Sequence, residues 1–154
     1  MLVLLLLVIL SWGMSQDCES LTARLNSIRT QNIYEDLTLQ AQKLIEEGCA
    51  GKKHSLKAAD DVLSALETLT MPELDAKGQI LSSITNKRMR KALLLLNETR
   101  KYKKSYPDLY FYQLLFYRVA IENRRVKDYN YALKYSHASY LLGTAILTLA
   151  RHIK

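Results

Sequence analysis

The stretch Pro107–Ile121, PDLYFYQLLFYRVAI, decides the fold class of this chain. Proline at its head fits the first position of a helix, where the missing N–H has no intrahelical partner to lose. Polar residues fall only at Asp108, Gln113 and Arg118, with Glu122 and Asn123 following. They mark a narrow stripe, and the rest of the circumference is apolar or aromatic. A helix of that kind is covered on most sides by other helices. No segment alternates with a period of two, so no strand is predicted. The expectation is an all-α protein whose other segments pack around Pro107–Ile121.

Composition agrees. The chain has 154 residues, 49% of them hydrophobic, with five glycines and two prolines. That supports one packed domain and leaves little material for tight turns. Seven helices are predicted. The first spans residues 17–28, with Leu21, Leu25 and Ile28 on one face. The second opens at Asn32, with Glu35 in capping-box spacing, and ends at Gly48. The third runs over residues 55–69 on Leu56, Ala59, Val62, Leu63 and Leu66. Thr70 and Glu73 give another capping box, with Pro72 in the first turn of a fourth helix through Ile80, Leu81 and Ile84. Asn86 is read as the cap of a fifth, carrying Met89, Ala92, Leu93 and Leu96. The sixth is the aromatic helix. Asp128 caps a seventh that carries Tyr131, Tyr135, Ala138, Leu142, Ala145, Leu149 and Ile153, with Gly143 as a point where it bends.

The N-terminus is of another kind. Residues 1–10, MLVLLLLVIL, are apolar without a break and too short to cross a bilayer, which takes about 20 residues. Gly13 and Ser15 are small residues suitably placed for cleavage before Gln16. Residues 1–15 are therefore read as a secretory signal, and 16–154 as a single helical domain. An uncleaved membrane anchor is the alternative, because this run has no Lys or Arg ahead of it. Removing residues 1–15 leaves the net charge at +7, since they hold no charged side chain. A secreted or periplasmic site makes a disulfide of the two cysteines, Cys18 and Cys49, the natural expectation. An antiparallel pairing of the first two helices brings the start of one beside the end of the other, and so brings Cys18 to Cys49.

The chain also repeats itself. Ser55, Ala58, Val62 and Ala65 match Met89, Ala92, Leu96 and Thr99 at an offset of 34 residues, and Pro72 and Pro107 are 35 apart. Ala120, the turn at Asp128-Tyr129 and Ala132 follow a similar pattern between Phe116 and Ser139. Over residues 33–142 the sequence resembles the tetratricopeptide repeat family. That resemblance implies antiparallel helical hairpins in an array, the alternative being an unrelated helical bundle. It also implies a non-catalytic scaffold that binds protein or peptide partners.

No motif for catalysis, cofactor binding or metal binding is present, and no cofactor is expected. His54, His137 and His152 lie on different elements, none with a partner at ligand spacing. Candidate interaction residues are of two kinds. Lys87, Arg90, Lys91 and Lys101 fall on one side of a helix opposite Met89, Ala92, Leu93 and Leu96. They form either a plain solvated face or a docking face for an anionic polymer, an acidic protein or a membrane surface, with nucleic acid the least favoured partner. Ten tyrosines, nine of them between Tyr102 and Tyr140, form either a tyrosine-rich core or an aromatic groove with Tyr110, Tyr112, Tyr117, Tyr131 and Tyr135. Asn97-Glu98-Thr99 is a glycosylation sequon in form. The apolar C-terminal helix is a further candidate surface, for self-association.

Overall fold

A computed structural model describes residues 17–72 and 78–152. The proposed signal, residues 1–15, lies outside them, as does Ile153. Among the described residues the chain is helical with no strand. It forms α1 (residues 17–29), α2 (Glu35–Cys49), α3 (Lys53–Thr70), α4 (Gln79–Thr99), α5 (Pro107–Arg125) and α6 (Tyr129–Arg151), with a short 3-10 turn at Arg100–Tyr102. None of the described helices is long and apolar enough to cross a membrane.

There are thus six helices among the described residues, where seven were expected. The predicted fourth and fifth are one. Leu81, Thr85, Met89, Ala92, Leu96 and Thr99 make an unbroken buried stripe through Asn86. The Asn86 carboxamide accepts from Arg124 Nη1 at 3.4 Å instead of capping. Two capping boxes also fail. The N-cap of α2 is Tyr34, which makes no side-chain cap bond, and both Asn32 and Tyr34 take left-handed backbone conformations. Thr70 is the last residue of α3 and donates its hydroxyl back to the Glu67 carbonyl at 2.9 Å; Glu73 lies outside the described residues. The Asp128 cap does form, its carboxylate accepting from the Tyr131 N–H at 3.3 Å.

Short turns fold α3 back on α2 and α6 back on α5. Cys18 and Cys49 meet at disulfide distance, with Cα atoms 6.0 Å apart, and tie the start of α1 to the end of α2. Arg24 clamps α1 to α3, its guanidinium 2.6 Å from Asp60 and 2.5 Å from Glu67.

The helix at the centre is α6. It packs on α3, α4 and α5, whereas α5 packs extensively on α6 alone. No residue of α6 from Ala132 to Ala150 is exposed. Small residues bring its neighbours close: Ala132, Ser136, Ala138, Ser139, Gly143 and Ala145 are all buried. The helix runs unbroken through Gly143. Cβ at that position would fall 2.6 Å from both Gln113 Nε2 and Leu95 Cδ2, so the glycine permits close packing of three helices. The aromatic helix α5 buries only Leu109, Gln113, Phe116 and Ala120 fully, and Phe111 stands out into solvent. Its tyrosines lie half-buried along its flanks, since a tyrosine ring can pack while its hydroxyl stays wet. Gln113, expected on the polar stripe, is wholly buried.

Candidate functional site

The two flanks of α6 differ. On one side it packs on α3, whose Ala58, Ala59, Val62, Leu63, Ala65 and Leu66 belong to one apolar cluster with Phe116, Leu142, Ile146 and Leu149. The buried side chains of α4 stand outside that cluster. They meet α5 and α6 partly through polar groups. Thr99 donates its hydroxyl to Gln113 Oε1 at 2.8 Å and Thr85 donates to the Tyr129 carbonyl at 3.1 Å, while between α5 and α6 Ser139 donates to the Gln113 carbonyl at 2.7 Å. Gln113 Nε2 is buried with no hydrogen-bond partner among the described residues.

With one side of α4 turned to α6, the other is open. Ile80 and Leu94 are 68% and 66% exposed, and Ile84 and Leu93 are 45% and 41% exposed. Lys87, Arg90 and Lys91 are exposed between them, and Lys101 follows in the 3-10 turn with its ammonium 5.2 Å from the Tyr102 ring centroid. None of these four cations takes part in an ion pair among the described residues. The aliphatic residues on this face are not a feature the charge pattern disclosed. Leu93, expected on the inner side, is on the outer one.

The five candidate groove tyrosines do not converge. Tyr112 and Tyr135 pack around the buried Phe116, with centroids 5.9 and 5.6 Å from it. Tyr34, not among the expected groove residues, completes the group 5.0 Å from Phe116, and its hydroxyl lies 3.0 Å from that of Tyr135. Burial, and then the bond to Tyr135, push the Tyr34 phenol well above its ordinary range, so its hydroxyl stays neutral. Tyr110 and Tyr117, seven residues apart, take the other flank of α5. Tyr131 is exposed beside Lys134, whose ammonium lies 5.4 Å from its ring.

Asn97 is exposed on α4, but Thr99 of the same sequon is wholly buried, with its hydroxyl engaged by Gln113 and Leu96. The threonine is therefore accessible only before α4 docks. Along α6, the candidate helix for self-association, Leu133, Tyr140, Leu141 and Leu147 are half-buried and none from Ala132 to Ala150 is exposed.

A separate cleft of about 360 Å³ opens where the ends of α2 and α6 meet the starts of α3 and α5. His54 and His152 face each other there, with ring centroids 4.6 Å apart. Glu47 and Asp108 also line it, with Glu47 Oε2 accepting from Ser55 at 3.4 Å and Asp108 Oδ2 from Gln40 at 2.9 Å. Among the described residues no group of three or more His, Cys, Asp and Glu side chains is placed to hold a metal. His137 stays apart, half-buried on α6, its pKa lowered by burial and then by Arg88.

Compared with protein-family profiles, curated proteins and solved structures, the chain matches none of them.

Proposed function

We propose that this protein is a non-catalytic helical binding module, secreted or periplasmic, that docks an acidic, amphipathic segment of a protein partner on the outer face of α4. The observation that carries this is the exposure of Ile80, Ile84 and Leu94 among cations without ion-pair partners. An aliphatic residue left in water on a helix already packed on its other side has apolar area still to bury, at about 25 cal/mol per Å². The neighbouring cations select the sign of what buries it. Lys87 and Lys91 stand between the isoleucines and Leu94, so the apolar residues form no continuous stripe. A bilayer favours a continuous one, and a polysaccharide leaves the aliphatics unused. A helix carrying both acidic and aliphatic side chains satisfies both sets.

The repeat supports the same class of protein. All eight residues of the matched sets, Ser55, Ala58, Val62 and Ala65 with Met89, Ala92, Leu96 and Thr99, are buried. The hairpins α2–α3 and α5–α6 are the parts of the chain that we read as tetratricopeptide-like pairs. In this reading the α3–α6 contact brings the two pairs together, and the outside of α4 is the proposed working surface. Export is supported by the apolar run at residues 1–10 and by the cysteine pair. The intact mass of the exported protein tests it: a mature species beginning at Gln16 is expected, and retention of Met1 contradicts it.

Docking is tested with a synthetic acidic amphipathic peptide, with heparin and with phosphatidylserine vesicles. The peptide should bind the parent, lose affinity in a K87E/R90E/K91E variant, and lose it again in I80S/L94S. Peptide binding untouched by either variant, or vesicle binding alone, overturns the proposal.

A further inference from the structure

The cleft at the far end of the bundle holds the one pair of facing histidines among the described residues. We propose that His54 and His152 bind a late first-row divalent transition-metal ion, Cu²⁺ or Zn²⁺, with water completing its shell. His54 sits in the first turn of α3 and His152 is the C-cap residue of α6. Their rings lie 4.6 Å apart, tilted by 46°. The proposal requires both rings to turn so that one nitrogen of each comes to about 2.0–2.1 Å from a common ion. Imidazole nitrogen suits Cu²⁺ and Zn²⁺, whereas Ca²⁺ and Mg²⁺ take oxygen ligands.

Three features prepare the site. Neither ring has a hydrogen-bond partner among the described residues, so a lone pair on each is available to an ion. The cleft, about 360 Å³, has room for the ion and its waters. Glu47 and Asp108 stand in its wall opposite in sign to Lys43 and Lys52, which also line it; each carboxylate takes one protein hydrogen bond, from Ser55 and from Gln40, and keeps a second oxygen for water on the ion. The frame is stiff on the His54 side, because the Cys18–Cys49 pair holds the end of α2 only a few residues before it. With two protein ligands the site is looser than a four-ligand structural one, suited to an ion that is exchanged.

The experiment uses the full mature chain, stripped of metal. Titration with Cu²⁺ should give one site per chain above any background, with an electron paramagnetic resonance signal split by two nitrogens. His54→Ala and His152→Ala should each weaken that site at least tenfold and leave coupling to one nitrogen. His137→Ala should leave both readouts unchanged. Zn²⁺ should raise the melting temperature of the parent and of H137A, but not of the other two. Circular dichroism checks that all variants stay folded; His152 is exposed at a helix end, so H152A carries the test even if H54A loosens α3. Equal Cu²⁺ affinity in the parent, H54A and H152A overturns the proposal, as does a parent with no site at all.

Discussion

Compare the two flanks of α6. On one, α3 and α5 close over it with Val62, Leu63, Leu66 and Phe116, and a cysteine pair and an arginine clamp secure α1 and α2 behind them. Ser55, Asp61 and Thr68 are buried polar residues there, and Asp61 is the one with a carboxyl. Burial raises its carboxyl pKa, and Lys57 at 3.1 Å works against that shift. On the other flank, α4 packs on α6, touches α5 much less, and carries an orphaned amide at its joint. A buried polar group without a partner forfeits roughly 1–3 kcal/mol. The difference teaches that the two flanks are built of different material: the α3 side joins one continuous apolar cluster, whereas the α4 side adds polar contacts and carries the exposed aliphatics and the cations without ion-pair partners among the described residues, the face on which we propose docking.

The comparison can be broken from the strong side first. Phe116 is wholly buried at the meeting of α5 and α6 and anchors three tyrosines. Phe116→Ala should destabilise by about 3–5 kcal/mol in chemical denaturation; a variant that unfolds with the parent would show that the aromatic group is peripheral. Next in size is the cysteine pair, which spans 31 residues. Chain entropy puts its removal at about 3–4 kcal/mol, so C18S/C49S should unfold at correspondingly lower denaturant, and non-reducing peptide mapping of the parent should recover the linked peptides.

The weak side is probed by Gly143→Ala. The new methyl meets Gln113 and Leu95, and overpacking of that kind costs about 1–3 kcal/mol. Its effect should fall on α4, visible as faster proteolysis within residues 79–99 at conditions where α3 remains intact. Uniform loosening of the whole bundle would contradict the division.

The smallest effect is one of pH. His137 has a folded pKa below its ordinary 6.5, so the unfolded chain takes up its proton first as pH falls. Stability from this group is complete above about pH 6.5 and is lost progressively below it. His137→Gln should flatten that part of the stability–pH curve; a slope unchanged from the parent's would show that His137 does not contribute.

What the sequence disclosed lay in spacing, count and pattern. The Asp128 cap rests on a short spacing and forms; the Cys18–Cys49 pairing, 31 residues apart, followed from the cysteine count and the antiparallel pairing of the first two helices; and the described residues hold no strand. The centre of the fold was not disclosed. The tyrosines of α5 count as apolar in a pattern but tolerate half-burial, so that helix looked more enclosed than it is. In α6 the alanines, serines and Gly143 look unremarkable, yet their small size is what admits three neighbours. Gln113 reads as a surface residue because its partners, Thr99 and Ser139, are 14 and 26 residues away. Asn86 reads as a cap because nothing nearby in the sequence shows that Thr85 on one side and Met89 on the other are both buried. The aliphatic half of the α4 face stayed hidden for the same reason. Ile80, Ile84 and Leu94 look like core residues until α6 is seen to cover only the opposite side.

The separation of the two flanks is tested most directly by native-state hydrogen exchange, resolved by residue, in low denaturant. Helices open in cooperative units, each with its own free energy. The amides of α4 should exchange together through an opening clearly below the global unfolding free energy, while those of α3 and the middle of α6 exchange only with global unfolding. If α4 exchanges in the same unit as α3 and α6, with the same free energy and the same denaturant dependence, the bundle is a single cooperative core and the account is wrong.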